Sequence, residues 1–216
     1  MKRRIIIPLT ELQELQYKRA TISYLQSLCC HIPTALDQAL MQTGVLRPMQ
    51  MCKGELLLKP GDKASKAYYL ISGMAKLYYY DYRGEPIIAY IWEAGSILVM
   101  FKKFRERLPN ERYYIELMED ADLVGVTNLD MDGIYQTHAT AYELTEKILC
   151  LKTDRRNLHT EILQMTDKKR RYHVFKQCFP GLYSEGKWRL SNKEICSFIG
   201  LTENTLADAR KLYPDS

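Results

Sequence analysis

The stretch Leu190 to Lys211, LSNKEICSFIGLTENTLADARK, constrains this chain more than any other. Ser191 is placed to cap a helix, and Glu194 follows three residues on, the spacing of a capping box. Ile195, Phe198 and Ile199 recur at helical spacing and share one face suited to burial. Gly200 stands where that helix must stop and the backbone needs a positive φ. Leu201 plugs the turn, and Thr202 caps a second helix whose inner face carries Leu206 and Ala209. Cys196, a small residue shortly before the glycine, lets the two helices cross closely. Two short helices joined by a sharp turn in this register form a helix-turn-helix. An ordinary α-hairpin in a core is the competing reading. The cap, the glycine and the plug falling together favour the helix-turn-helix, whose second helix reads a DNA major groove.

Charge supports this reading. The 216-residue chain has a net charge of +5. Residues 166–216 hold ten Lys or Arg against six Asp or Glu, whereas residues 1–165 hold 21 against 20. The excess positive charge therefore travels with the helix-turn-helix, as phosphate binding requires. Within it, Lys168 to Arg171 form a four-residue basic run. Such a run is ordinarily a solvated face, but one so close to a DNA-reading unit is placed for phosphate contact.

Six cysteines are present, Cys29, Cys30, Cys52, Cys150, Cys178 and Cys196, with no C-x-x-C pair. Reduced, buried thiols of a cytoplasmic protein are the expected reading, ahead of a metal or disulfide role. The apolar run Ile5, Ile6, Ile7 after Lys2, Arg3 and Arg4 is too short for a signal peptide, and no stretch approaches the length of a membrane helix. No nucleophile with a base at usable spacing, no phosphate-binding loop and no metal-ligand cluster is evident, so an enzyme is the poorest reading. His31 is expected at the surface or in packing, and His138, His159 and His173 are scattered, so no haem ligand can be argued.

Taken in order, residues 9 to about 45 are helical in pattern, with Leu9, Leu12, Leu15, Ile22, Leu25 and Leu28 recurring before Pro33 interrupts. From Leu46 to Leu129 the period shortens. Turn signals at Lys53-Gly54-Glu55, Pro60-Gly61-Asp62, Ser72-Gly73, Asp81–Glu85 and Glu93-Ala94-Gly95 separate short β-rich runs, including Ala67–Ile71, Met74–Tyr82, Tyr113–Met118 and Leu123–Leu129. Many short strands at this spacing predict an all-β barrel or jelly roll. Tyr78, Tyr79 and Tyr80 then belong to a half-buried strand, in preference to a ligand-facing wall. Residues 141–165 form one long helix. Leu144, Ile148, Leu151, Arg155, Leu158, Ile162 and Met165 follow a strict 4-3 spacing, an a/d seam with one charged break at Arg155. The seam predicts a homodimer through this helix, with packing on the chain's own barrel as the alternative. A further helix starts at Thr166-Asp167 and ends at Pro180-Gly181.

This order resembles the Crp/Fnr (catabolite activator/fumarate–nitrate regulator) family from about Leu46 to Lys211. KGELLLKPGD is similar to the family's first strand and turn, and YYLISGMAKLYYYDYRGEPI to its central hairpin. LMEDADLVGV resembles the last strands of the roll, and KEICSFIGLTENTLADARK the helix-turn-helix. The resemblance implies an α+β chain. It would comprise N-terminal helices and a cyclic-nucleotide-binding-like β-roll over residues 1–140, a dimerisation helix over 141–165, and a winged-helix-like DNA-binding domain over 166–216. It also implies a cytoplasmic homodimeric transcription regulator, with double-stranded DNA and a second copy as partners, a small-molecule effector in the roll, no cofactor and no membrane.

Two departures qualify what the family implies. Cyclic-nucleotide-binding members carry a Gly-Glu pair and a Pro-Arg-x-Ala segment, whose Arg forks the phosphate. Here Gly95 matches the Gly, but Ser96 stands at the Glu, Glu111 near the Arg with Arg112 one place over, and Tyr113 at the small residue. Tyr113 would fill the phosphate's space, so cyclic AMP is not the expected effector. Gly95, Ser96, Arg112 and Tyr113 remain the candidate pocket residues. Nor is there an N-terminal cysteine cluster of the iron–sulfur type. The second departure is the reading helix, where Glu203 and Asp208 bring acidic groups towards phosphates and base edges. Asn204 can pair with adenine. The candidate DNA-binding set is Ser191, Lys193, Ser197, Thr202, Glu203, Asn204, Thr205, Asp208 and Lys211, with Lys169, Arg170 and Arg210 as backbone contacts. With the sequence reading to Ser216, no β-wing is expected after the reading helix. A module of the same fold that has lost DNA reading and acts by ligand or protein binding is the alternative function.

Overall fold

The computed structural model describes residues 9–29, 32–184 and 187–214. Residues 1–8, Cys30 and His31 lie outside the described residues, as do the final two. The chain divides into two compact units. One comprises the residues up to Leu77 with Ile91–Cys150, the other Tyr78–Tyr90 with the residues from Leu151 on. The boundary passes through the long helix and returns the tip of one β-hairpin to the C-terminal unit, a division that sequence pattern did not suggest.

The N-terminal unit opens with α1 (Glu11–Leu28), which Thr10 and Gln13 start as a capping box, and α2 (Thr34–Met41). Eight strands follow: β1 (Arg47–Met51), β2 (Leu56–Leu58), β3 (Lys66–Ser72), β4 (Met74–Tyr80), β5 (Pro86–Glu93), β6 (Ser96–Leu98), β7 (Tyr114–Leu117) and β8 (Ala121–Thr127). They form two four-stranded sheets, in the orders β1-β8-β3-β6 and β2-β7-β4-β5. Such crossing between sheets, with distant strands paired as neighbours, is the jelly-roll arrangement.

Period-two alternation gives the first sheet two apolar faces. Tyr69 pairs with Val124 and with Ile97, and Ala67 with Val126, so these side chains share one face. That face packs with Ile22, Leu36, Leu40, Ile134, Ala141 and Leu144 of the helices. Leu70 and Leu123, both wholly buried, point the other way, into the roll. At the β3–β4 turn, Gly73 has φ +90°, and a Cβ there would stand 2.6 Å from the Asp120 carbonyl oxygen, so only glycine fits.

Two helices lie where the periodicity predicts none. α3 (Phe101–Glu106) is too short to show a period. α4 (Asn128–Thr137) begins where a strand was expected to run on to Leu129. Its signal was present, since Thr127 and Asp130 form a capping box. Arg47 fixes this start by donating to Asp130 at 2.6 Å, which holds the Asp130 carboxyl below its ordinary pKa.

α5 spans Thr140–Gln164, matching the expected long helix, but the seam on it is corrected. Leu144 (4% exposed) and Ile162 (1%) are buried in their own chain. Ile148 and Leu158 are half-buried, and the half-buried Arg155 lies 5.0 Å from the centre of the Phe179 ring. Only Leu151, 51% exposed, is an open apolar member. The reason is geometric: a straight α-helix drifts about 20° per heptad against a 3.5-residue repeat, so its ends and middle face different neighbours.

The C-terminal unit contains α6 (Lys168–Cys178), a short ribbon of β9 (Tyr183–Ser184) and β10 (Lys187–Trp188), α7 (Asn192–Ile199) and α8 (Glu203–Leu212). This ribbon precedes the helix pair in the chain. Phe175 is the centre of the core. It stacks on Trp188 at 5.1 Å and meets Phe179 and Phe198 edgewise or tilted. The Trp188 indole N–H donates to the Tyr172 hydroxyl at 3.0 Å. The five described cysteines are free and mostly not buried: Cys196 is buried, Cys29, Cys52 and Cys178 are half-buried, and Cys150 is exposed.

Candidate nucleic-acid interface

α7 and α8 form as their caps dictate. Ser191 Oγ accepts from the Glu194 N–H at 3.3 Å, and Glu194 Oε2 accepts from the Ser191 N–H at 3.0 Å. Gly200 adopts φ 65° and ψ 43°, the left-handed stop of α7. Thr202 Oγ1 accepts from the Thr205 N–H at 3.2 Å and starts α8. Ile195, Phe198 and Ile199 are buried, as are Leu206 (1%) and Ala209 (0%). Leu201 plugs the turn at 9% exposure.

The opposite face of α8 presents Glu203, Asn204 and Asp208 to solvent, with Lys211 exposed and Thr205 half-buried. Ser191, Lys193 and Thr202 are exposed beside them. Asp208 is not a bare charge. It accepts from Lys211 Nζ at 3.1 Å, and Lys211, aided by Lys169 of α6, holds its carboxyl below the ordinary range. The Asp208–Lys211 pair is fully in solvent and adds little to stability.

Three residues assigned to phosphate contact do other work. Ser197 Oγ donates to the Pro86 carbonyl at 2.8 Å and accepts from the Ile88 N–H at 2.9 Å, so its hydroxyl is engaged by the β4–β5 hairpin. Arg210 Nη1 donates to Asn192 Oδ1 at 2.8 Å and its Nε to the Tyr172 hydroxyl at 3.4 Å, tying α8 to α7 and α6. Arg171, the last of the basic run, is buried at 9% exposure. Its guanidinium donates to the carbonyls of Ile199 (3.0 Å), Gly200 (3.2 Å) and Met165 (2.6 Å). These carbonyls close α7 and follow α5, the helix ends where a cation is favoured. Lys168, Lys169 and Arg170 remain exposed, with Asp167 Oδ1 capping α6 through the N–H groups of Lys169 and Arg170.

His159 and Lys152 of α5 also belong to this unit. The His159 ring stacks on Phe198 at 3.9 Å and 8°, and its Nε2 is 2.7 Å from the Phe198 carbonyl oxygen, to which it donates. Burial lowers the His159 pKa below its ordinary 6.5, and the bond to Phe198 opposes this in part. Because the folded value is depressed, the unfolded chain takes up the proton first. Stability is therefore full above about pH 6.5 and falls as the pH drops through the folded value. His159→Gln is expected to flatten this acid dependence in denaturation measured between about pH 7 and 5. An unchanged slope would place the sensitivity elsewhere. Burial, with the Arg156 charge adding to it, brings Lys152 down to about 8. Its ammonium lies 5.9 Å from the Tyr90 ring centre.

In the roll, none of the four candidate pocket residues lines the cavity between the sheets. A cavity of about 340 Å³ lies between the sheets and is lined by Leu57, Leu58, Lys63, Tyr68, Leu98 and Ile115 among others, without Gly95, Ser96, Arg112 or Tyr113. Arg112 is exposed with its guanidinium 6.0 Å from the Tyr113 ring centre. Glu111 pairs with Lys103, whose charge and hydrogen bond hold its carboxyl below the ordinary range. The Tyr113 N–H donates to Oδ1 of the fully buried Asn110 at 3.0 Å, which fixes the loop. Among the described residues, no group of three or more His, Cys, Asp or Glu is placed to hold a metal ion, and no helix is long and apolar enough to cross a membrane.

A β-roll, a long helix and a capped helix-turn-helix in this order define the fold of the Crp/Fnr transcription regulators, and this chain has it. No protein-family model and no curated protein matches the sequence. Solved structures do match. FixK2 of Bradyrhizobium japonicum superposes with a TM-score of 0.64 at 17% identity, covering 78% of this chain and 84% of FixK2. CLP, the c-di-GMP responsive global regulator of Xanthomonas campestris, gives 0.63 at 14%, covering 84% and 91%. A transcriptional regulator of the CRP family from Thermus thermophilus gives 0.60 at 18%, covering 76% and 85%.

Proposed function

We propose that this protein is a homodimeric, DNA-binding transcription regulator of the Crp/Fnr type that responds to a small molecule, and that it is not an enzyme. The observation carrying this reading is the α7–α8 pair. Its inner face is fully packed, while Asn204 and its neighbours are free of the core on a helix of the length that enters a major groove. Asn204 is the base-reading residue, since one amide donates to and accepts from adenine at once. Ser191 and Lys193 sit against phosphates, with Lys169 and Arg170 extending that surface. Pairing of Asp208 with Lys211 lowers the repulsion that an acidic reading helix would otherwise bring.

Fluorescence anisotropy with fragments selected from a random DNA pool tests this. Asn204→Ala is expected to flatten sequence preference, at about 1–3 kcal/mol for the lost bidentate contact, while salt-dependent affinity persists. Lys193→Ala should weaken all sequences alike and reduce the salt slope by about one. Absence of binding by the unaltered protein to every fragment at low salt would favour the alternative, a module of the same fold acting through ligand or protein contacts.

Cyclic AMP is not the effector on this reading. Arg112 is turned to Tyr113 and Glu111 to Lys103, so no guanidinium fork awaits a phosphate at the cassette position. Calorimetry is expected to show no binding at micromolar concentrations, and a micromolar Kd would overturn the assignment.

A further inference from the structure

A second cavity lies on the other side of the first sheet. It has a volume of about 110 Å³ and sits between that sheet's outward face and α1, α2, α4 and α5. Leu36, Leu40, Val124, Ile134, Ala141 and Leu144 are among its walls, each at most 5% exposed. Three hydroxyls on its lining, those of Thr21, Tyr135 and Thr145, are already engaged. Thr21 Oγ1 donates to the Tyr17 carbonyl at 2.9 Å. Thr145 Oγ1 is bonded to the Ala141 carbonyl at 2.8 Å and to the Tyr135 hydroxyl at 2.7 Å. The rest of the lining is predominantly apolar, and apolar cavities of about 150 Å³ lined by such residues stay dry and bind benzene.

The cavity adjoins a cleft of about 360 Å³ with which it shares Phe101, Phe104, Tyr135 and Thr145. The cleft adds polar walls, Arg105, Asn128, Gln136 and Glu146. The four shared residues thus border both an apolar space and a polar one. On the other side, α5 lends the cavity Ala141, Leu144, Thr145 and Ile148, then continues unbroken to Gln164.

We propose that this cavity, and not the interior of the roll, is the effector site. It takes a small hydrophobic compound, a single aromatic ring or an alkyl chain of about six carbons, whose one polar end rests in the adjoining cleft. The assignment rests on the ligand-responsive reading above. Filling the cavity loads the first turns of α5, and the same helix carries Leu151 and Leu158 of the proposed dimer face. Differential binding to two arrangements of that helix would couple the site to DNA affinity.

Benzene and hexan-1-ol are the probes, with hexane-1,6-diol as a control whose second hydroxyl cannot be satisfied inside. Both probes are expected to raise the Tm of the full chain saturably, and the diol to leave it unchanged. Ala141→Leu, and separately Val124→Phe, fill the cavity and should abolish the shift while circular dichroism shows the fold retained. Hexan-1-ol should change the affinity for a selected DNA fragment about fivefold or more, within the usual range of coupling. A wild-type Tm that neither probe raises overturns the site, whatever the DNA assay shows. A shift that survives both filling variants does the same. Binding that leaves DNA affinity unchanged overturns the effector role. A protein that binds the probes but no DNA defeats the regulator reading alone, and the Tm shift still supports the cavity as a binding site.

Discussion

Replacing Arg171 by Met is expected to cost the C-terminal unit about 3 kcal/mol, the largest single-residue loss predicted for this chain. Met keeps most of the apolar stem, so the loss isolates the guanidinium. Three carbonyl oxygens, those of Met165, Ile199 and Gly200, would lose a charged donor in a buried site. An acceptor left unsatisfied by removal of its partner costs about 1–3 kcal/mol, and relaxation of a helix end recovers part of the sum. Urea unfolding of the full chain in a Trp92→Phe background, followed by Trp188 fluorescence, measures the change. A loss below about 1 kcal/mol would mean that water replaces the guanidinium without penalty and that Arg171 does not lock the helix pair. Arg171→Lys should recover only part of the loss, since an ammonium cannot fork towards carbonyls on two sides.

The second large effect concerns assembly. Leu151→Asp with Leu158→Asp is expected to convert a dimer into a monomer in sedimentation and to lower affinity for a two-half-site DNA by about 10² or more, the advantage of linked binding. Leu151 is open apolar surface on α5 and Leu158, seven residues on, is half-buried. Ile162→Asp provides the contrast. That residue is 1% exposed within its own chain, so its replacement should lower stability rather than dissociate subunits. A double variant that remains dimeric and folded would move the interface off this helix.

Legibility followed the distance over which each signal acts. The helix-turn-helix was readable because Ser191, Glu194, Gly200 and Thr202 act on backbone within three or four residues of themselves. The roll was readable as a succession of turns, although its sheet order depends on pairings such as Arg47 with Gly125 that no local pattern carries. α4 was passed over because Gly133 and two Asp weaken its propensity, even though Thr127 and Asp130 mark its start. The role of Arg171 was hidden, since its acceptors stand up to 29 residues away and its neighbours in sequence are solvated cations. The assignment of Ser197 to phosphate failed for the same reason at longer range, its partners being Pro86 and Ile88. A seam written in sevens was real as a pattern, but the straight helix turned its two ends into the protein's own core.

Those Ser197 bonds, together with the grouping of Tyr78–Tyr90 with the C-terminal helices, bear on how the chain is made and how it can be cut. The unit is discontinuous along the polypeptide. During synthesis the hairpin leaves the ribosome more than a hundred residues ahead of the helix that receives it, so its tip waits with the Ile88 N–H unclaimed by Ser197 until that helix has emerged. A fragment beginning after residue 150 would carry α7 and α8 but leave behind the segment that engages Ser197. Any isolated C-terminal unit cut from this protein therefore has to bring residues 78–90 with it, as a co-expressed peptide or through a circular permutation, to be the same folded body.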